Sequence, residues 1–337
     1  MTDSNPQLHY VDDSQLKFQR QRCGKGFRFL TSAGKIIAAE DLKRIKKLYI
    51  PPAWVDVRIC PDRNGHIQAI GFDGKGRKQY VYHPDWVAES QGAKFERVIT
   101  FGKVLPTIRE TVAGHMRQHT LTRERVLATV VWLLDHTFVR VGNVQYAKEN
   151  QSYGLTTLRE KHVDIEGNTI NFSFKGKSGV YHELNVTHPR VAKTIKQCIE
   201  LPGYEVFKYL NEDGDRQMID SKDVNEYLQE LSGQSLSAKD FRTWGGTTLA
   251  GQVLYNLGEP ETETTLQSNI RTAVKDVSAH LGNTVAVCRK YYIHPLIIDK
   301  YSNNTLVPNF ARLLKEGEKA DTLLSPEEYA TWTMLHD

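Results

Sequence analysis

The 337-residue sequence predicts an α+β protein in two parts. A small antiparallel, sheet-rich part covers residues 1–90, and a larger, mainly α-helical part with a three-stranded sheet covers 91–337. Three observations lead there. The chain is longer than most single hydrophobic cores, so two domains are expected. The apolar period is strand-like over 55–83, helical over 122–140 and strand-like again over 162–186. Glycine-bearing turn signals fall between the strand-like runs.

In the first part, residues 38–49 carry Leu42, Ile45 and Tyr49 at helical spacing, and Pro51-Pro52 ends the run. Short alternating runs follow at 55–60, 66–72 and 78–83. Asn64-Gly65 and Gly74-Lys75-Gly76 separate them, as in a small antiparallel sheet. In the second part, Leu127, Val130, Leu134 and Phe138 stripe a helix over 122–140, and Gly142 follows as a stop. Residues 162–186 then alternate, with Ile170, Phe172 and Phe174 on one face. Gly167-Asn168 and Gly176-Lys177-Ser178-Gly179 make the two turns of a meander. Beyond 188 the pattern is helical. Gly282-Asn283-Thr284 reads as a helix entry for 285–292, with Asn283 or Thr284 as cap. Ser325-Pro326-Glu327-Glu328 forms a capping box for the last helix. There is no internal repeat and no low-complexity segment.

Composition excludes several classes. Hydrophobic residues at 39% and charged residues at 25% are ordinary for a globular protein. No apolar run reaches membrane-spanning length, and the polar, acidic start (MTDSNPQLHYVDDSQ) is unlike a signal peptide. Cysteines at 23, 60, 198 and 288 make neither a CxxC pair nor a metal spacing, which points to reduced thiols in the cytoplasm. The net charge of +4 is unevenly placed: residues 1–100 hold 17 Lys+Arg against 11 Asp+Glu. A basic front end suits a polyanion, though many solvated surfaces look alike.

Four places in the chain stand out. Lys177 at a hairpin tip is either simply solvated or a mobile cation able to protonate a leaving alkoxide. Arg140, which ends a strongly apolar helix, is either a cation at ease near a helix C-terminus or a phosphate ligand. Arg242, in Lys239-Asp240-Phe241-Arg242-Thr243-Trp244, is either paired with Asp240 beside a packed tryptophan or forked onto phosphate oxygens. Tyr291 and Tyr292 follow Arg289 and Lys290; a tyrosine becomes a useful nucleophile only where cations and fixed geometry lower the barrier. A phosphate-binding loop at Gly176-Lys177-Ser178 fails, because its first glycine would be Asn171. No HExxH is present, and neither a metal nor a nucleotide cofactor is expected.

Taken in order, Arg140, Lys177, Arg242 and Tyr292 resemble the type IB DNA topoisomerases of the compact poxvirus-like kind, which include bacterial members. The likeness covers most of the chain. Gly74 to Tyr82 resembles the family's DNA-facing strand, which implies duplex contacts for Arg77, Gln79, Tyr80 and Tyr82. Arg140-Val141-Gly142 through Tyr146 to Lys161-His162 resembles the segment of the first active-site arginine. Gly176-Lys177 to His182-Glu183 resembles the hairpin of the catalytic lysine. Asp240 to Gly245 resembles the second arginine's segment, and Gly282 to Tyr292 the nucleophile's.

The resemblance implies a tyrosine-recombinase-like catalytic domain and an ATP-independent isomerase. In that reading Tyr292, not Tyr291, attacks a DNA phosphodiester to give a 3′-phosphotyrosyl bond and a free 5′-hydroxyl. Arg140, Arg242 and Asn283 stabilise the phosphoryl oxygens, and Lys177 protonates the departing oxygen. Asn283 stands where the viral enzymes have histidine, so it is read as a donor and not as an imidazole base. Tyr146, Lys239 and Arg289 are implied DNA contacts, with Lys239 a second contributor to the proton path. The implied partner is double-stranded DNA, clamped by a monomer in the cytoplasm at the nucleoid. The nearest alternative is a tyrosine recombinase, which usually has histidine three residues before the second arginine, where this chain has Lys239. A non-catalytic DNA-binding protein is the other.

Overall fold

The alternation in residues 55–83 forms three neighbouring strands, and two more precede them. A computed structural model of the protein describes residues 8–336. Part of the polar, acidic start read from the sequence, residues 1–7, lies outside the described residues. The chain divides into two units, one ending at Lys94 and the other beginning at Phe95.

The first unit is built on strands β1 (Phe18–Cys23) and β2 (Gly26–Leu30), helix α1 (Ala39–Lys46), and strands β3 (Val55–Ile59), β4 (Ile67–Phe72) and β5 (Lys78–Tyr82). The strands form one antiparallel sheet in the order β2-β1-β3-β4-β5. The β1–β2 hairpin is an addition to the sequence reading. Its residues are mostly exposed, β1 carries a single apolar residue before Cys23, and the alternation of β2 is limited to Phe27-Arg28-Phe29, too short a signal to stand out. Ile45 of α1 packs with Ile37, Val57, Ile59 and Ala69 in the small core.

Residues 84–115, to which the sequence reading assigns no element, form the long helix α2 (Pro84–His115). The division between units falls inside it. From Val98 onward it buries Val98, Phe101, Leu105, Ile108 and Val112, a regular helical stripe, in the larger core.

The second unit continues with α3 (Arg123–Thr137), α4 (Val144–Asn150), β6 (Val163–Glu166), β7 (Thr169–Lys175) and β8 (Tyr181–Thr187). Then come α5 (Pro189–Glu200), β9 (Lys208–Leu210), β10 (Arg216–Met218), α6 (Ser221–Ser232) and α7 (Ala238–Leu257). The chain ends with α8 (Glu263–Leu281), α9 (Val285–Tyr291), α10 (Pro295–Ser302), α11 (Leu306–Gly317) and α12 (Pro326–His336). The meander β6-β7-β8 has the expected turns, and Ile170, Phe172 and Phe174 are buried. The purely helical pattern expected beyond 188 is corrected by β9 and β10. Each is three residues long, too short for a periodic signal.

The predicted helix over 122–140 stops earlier. Thr122 caps α3 through its side chain, and Phe138 ends it in the left-handed region at φ 50°. Arg140 therefore sits in the loop beyond the helix and not in its last turn. At the far end, Ser325 and Glu328 exchange the reciprocal bonds of the predicted capping box, at 2.9 and 3.2 Å. Glu328 also accepts from Trp244 Nε1 at 2.9 Å and pairs with Arg109 at 2.6 Å. Arg109 bonds Asp135 as well, at 2.7 Å. This network ties α2, α3, α7 and α12 together two residues from Arg242, and each charged member is paired, which is what makes its burial tolerable.

Candidate active site

Three consecutive residues of α7 set the site's geometry. Trp244 is fully buried in the core. A β-carbon at Gly245 would overlap the Phe138 ring, and one at Gly246 would lie 2.6 Å from the Tyr292 carbonyl oxygen. The missing side chains let the end of α3 and the end of α9 close onto α7. Thr247 continues the grip: its hydroxyl lies 3.4 Å from the Tyr292 carbonyl and accepts from the His294 amide at 3.1 Å.

Arg242, one turn before Gly246, is 3% exposed. Its Nη1 donates to the Phe138 carbonyl and its Nη2 to the Leu281 carbonyl at 2.8 Å. The pairing with Asp240 that the sequence allowed does not occur. Asp240 instead accepts from Ser237 N and Oγ at the start of α7. Arg242 Nε is buried without a partner. The guanidinium carbon lies 5.2 Å from the centre of the Tyr292 ring, close enough for a cation–π contact.

Arg140 donates through Nη2 to Asn283 Oδ1. Burial, and then the neighbouring Arg242 charge, push the Arg140 guanidinium below its ordinary pKa, with Tyr292 pulling the other way. Two cations are thus held close before any anion arrives. Asn283 is itself fixed, its amide donating to Ser278 O at 3.2 Å and its carbonyl accepting from Ser278 Oγ at 2.9 Å. With Oδ1 turned to Arg140, Asn283 Nδ2 is a buried donor with no oxygen or nitrogen acceptor. The buried Cys288 thiol is raised in pKa by its surroundings, while Arg242 and a contact with Asn283 work the other way. Thr284, not Asn283, caps α9 through its side chain at 3.4 Å.

Tyr292 is the residue that terminates α9, and it is half-buried. It lines a cleft of about 600 Å³ together with Arg140, Asn143, Tyr146, Tyr153, Lys177, Lys239 and Arg242. Lys177 reaches the cleft from the turn between β7 and β8, where Ser178 (φ 63°) and Gly179 (φ 81°) reverse the chain. Lys239 opens α7 on the exposed side. Tyr291 carries Lys290 Nζ 5.3 Å from its ring centre and is not among the residues lining the cleft.

The structure thus brings together Arg140, Tyr146, Lys177, Lys239, Arg242 and Tyr292, with Asn283 bonded to Arg140 behind them. Arg289 is exposed in the last turn of α9 and does not line the cleft. Arg77, Gln79, Tyr80 and Tyr82 belong to the first unit. There Arg77 pairs with Asp73 at 2.7 Å, and Gln79 Nε2 donates to the same carboxylate at 3.0 Å. Tyr80 and Tyr82 stack at 5.7 Å and are about two-fifths exposed. His182, which the sequence reading used only as a landmark, packs between the turn of Lys177 and the start of the Asn283 segment. Its signal is tertiary contact, which no spacing reveals.

A cleft whose cations converge on one tyrosine, inside a helical unit that also carries a three-stranded sheet, is built for a phosphodiester. Residues 77–310 match the family described as "Eukaryotic DNA topoisomerase I, catalytic core", and residues 26–73 match "Bacterial DNA topoisomerase IB, N-terminal domain". The chain is 34% identical to the DNA topoisomerase 1B of Acanthamoeba polyphaga mimivirus over 86% of its own length and 87% of the relative's. It is 25% identical to DNA topoisomerase 1 of rabbit fibroma virus, over 81% of this chain and 84% of that one. It is also 25% identical to DNA topoisomerase 1B of vaccinia virus, over 68% and 71%. The chain belongs to the type IB DNA topoisomerase family.

Proposed function

We propose that this protein relaxes supercoiled DNA without ATP, by transient cleavage of one strand through a 3′-phosphotyrosyl bond at Tyr292. The observation that carries this reading is the convergence of Arg140, Lys177, Lys239 and Arg242 on the cleft lined by Tyr292.

Tyr292 Oη attacks the phosphorus, and its proton leaves through the open cleft. The bond from phosphorus to the 5′ oxygen breaks, and Lys177 Nζ gives that oxygen a proton. Arg140 and Arg242 stabilise charge on the non-bridging oxygens, and Asn283 Nδ2, the buried donor beside Arg140, supplies a third bond. Lys239 assists the proton path from the mouth of the cleft. The strand with the free 5′-hydroxyl swivels, and reversal of the same step reseals it. The covalent bond conserves the phosphodiester's energy, so no nucleotide is consumed.

Residues 1–90 form the sheet-rich domain that grips DNA through Arg77, Gln79, Tyr80 and Tyr82. Residues 91–337 form the catalytic domain, with Tyr146, Lys239 and Arg289 as further contacts. The exposed faces of Tyr80 and Tyr82 support the first assignment. Most of the affinity comes from phosphate contacts and falls with salt. The protein acts as a monomer, in the cytoplasm and on the nucleoid. Among the described residues, no helix is long and apolar enough to cross a membrane.

The test is plasmid relaxation in EDTA without ATP, on positively and negatively supercoiled DNA, beside Tyr292→Phe and Tyr291→Phe. Relaxation of both signs is expected, with covalent attachment to DNA lost in Tyr292→Phe and kept in Tyr291→Phe. Full relaxation by Tyr292→Phe would refute the assignment.

A further inference from the structure

We propose that His182 is a positioning residue for Lys177, its imidazole acting as a spacer of fixed width behind Gly176; this rests on the reading of Lys177 as the general acid. His182 stands on β8 opposite Phe174 of β7, and the two rings stack at 5.2 Å with 22° between their planes. A β-carbon at Gly176 would lie 2.6 Å from both Cδ2 and Nε2 of the imidazole. A β-carbon at Gly282 would lie 2.9 Å from Cε1 and 3.5 Å from Nε2 of the same ring. The ring therefore fills the gap between the peptide before Lys177 and the peptide before Asn283.

Three observations make this a matter of volume and not of acid–base chemistry. Among the described residues, the ring nitrogens of His182 take part in no hydrogen bond. Burial, then Arg140 and Arg242, lower its pKa, so all three disfavour the charged ring. It does not line the cleft in which a phosphate would sit.

The lysine side depends on the ring more than the tyrosine side does. Asn283 is already held by its two bonds with Ser278 and by Arg140. Among the described residues, the turn of Lys177 is exposed and closed by its own backbone, through Gly176 N to Val180 O at 2.7 Å and Gly179 N to Gly176 O at 3.1 Å, and the nearest backbone tie from outside the hairpin is Tyr153 N to Lys175 O at 2.8 Å, before the turn begins. Without the ring, the whole turn can sink toward Gly282 and carry Nζ away from the leaving oxygen. Misplacement on that scale is enough to lose most of a proton transfer's benefit.

The experiment uses the full chain in single-turnover cleavage of two duplexes. One has the ordinary 5′ oxygen at the scissile phosphate and the other has sulfur in its place. A thiolate departs without needing a proton, so the sulfur substrate bypasses the general acid. Lys177→Ala should be slow on oxygen and near wild type on sulfur. His182→Ala should lose about tenfold to a hundredfold on oxygen, inside the range a general acid contributes, and recover to within about threefold on sulfur. His182→Phe, which keeps a ring of similar width, should cleave the oxygen substrate within about fivefold of wild type.

If Lys177→Ala is rescued by sulfur but His182→Ala is not, the spacer reading fails and the role of Lys177 stands. If Lys177→Ala is not rescued, the general-acid reading fails and this inference with it. Wild-type cleavage of the oxygen substrate by His182→Ala also overturns the proposal. Should His182→Ala lose its melting transition, Gly176→Ala takes its place. It pushes the turn off the ring and should show the same slow-oxygen, fast-sulfur pattern; equal loss on both substrates overturns the proposal.

Discussion

The Arg242 guanidinium carbon lies 5.2 Å from the centre of the Tyr292 ring, while the same group bonds the carbonyls of Phe138 and Leu281. One buried side chain therefore joins the end of α3, the end of α8 and the tyrosine that closes α9. Arg242 lines the cleft, and its Nη atoms hold the two helix ends that precede Arg140 and Asn283.

That double attachment makes a lysine a poor substitute. Lysine offers a point charge but not two donors at a fixed angle. Arg242→Lys should lose at least about a hundredfold in cleavage, the scale for one transition-state donor. It should also lower stability by on the order of 2–3 kcal/mol, because a bond between a charged group and a carbonyl is lost and that carbonyl stays buried. Single-turnover cleavage and chemical denaturation check the two effects. An Arg242→Lys variant as stable as wild type would mean that the carbonyl bonds contribute nothing.

Asn283 gives a prediction with a definite order. Its Oδ1 accepts from Arg140, and its Nδ2 is the buried donor without an oxygen or nitrogen acceptor. Asn283→Ala removes both and should slow cleavage by about tenfold to a hundredfold. Asn283→Asp keeps the acceptor for Arg140 but sets a negative charge where the proposed reaction brings a phosphate oxygen. Like charges at that distance repel strongly in a partly desolvated site. The aspartate variant should therefore be slower than the alanine variant, as measured on one suicide duplex. The reverse order would remove Asn283 from the phosphate's surroundings.

How far the chain could be read from its residues depended on whether a feature repeats. The stripe of α3 and the alternation of β7 are periodic, and the capping box of α12 is a fixed local spacing, so all three are legible. The strand β1 is mostly exposed and polar, the alternation of β2 spans only Phe27-Arg28-Phe29, and β9 and β10 are too short to show a period. The cleft residues Arg140, Lys177, Arg242 and Tyr292 stood out by their order along the chain. Their fastening did not. Arg242 bonds a carbonyl 104 residues away and another 39 away, where the sequence suggested its near neighbour Asp240. Backbone carbonyls carry no residue identity, so such partners leave no trace in a sequence.

Acid should weaken the protein through its buried histidines. Burial pulls His294 from 6.5 down to about 4, with Asp299 acting weakly the other way. His162, His182, His188 and His280 are lowered as well, each chiefly by burial. Between about 4 and 6.5 the unfolded chain binds the proton that folded His294 refuses, so stability rises with pH across that window. The contribution of neutral His294 is complete above 6.5 and is lost as the pH falls toward 4, up to about 3 kcal/mol. His294 also caps α10, accepting from the Leu296 amide at 3.2 Å. Asparagine can make that cap without titrating. Melting temperatures at pH 7.5 and pH 5 should drop less for His294→Asn than for wild type, by roughly 2–4 °C per kcal/mol spared. Equal drops would show that His294 is not a source of the acid sensitivity.

Gly246 separates helix propensity from packing. In a helix interior, glycine to alanine ordinarily stabilises by about 1 kcal/mol. In α7 the new β-carbon would lie 2.6 Å from the Tyr292 carbonyl oxygen, 3.2 Å from Leu281 Cδ1 and 3.3 Å from Val277 Cγ1. The first of these is backbone, held in place by Thr247, and cannot turn aside as a side chain end could. Relief requires α9 to move away from α7, and overpacking of this kind costs about 1–3 kcal/mol, which cancels or exceeds the propensity gain. The movement falls on the tyrosine. A shift of about 1 Å in a reacting group can cost on the order of a hundredfold. Gly246→Ala should therefore cleave at least about tenfold more slowly than wild type, with non-covalent affinity for duplex DNA unchanged. Filter binding and single-turnover cleavage measure the two quantities on the same oligonucleotide. Wild-type cleavage by the Gly246→Ala variant would mean that the close approach of α7 does not set the position of Tyr292.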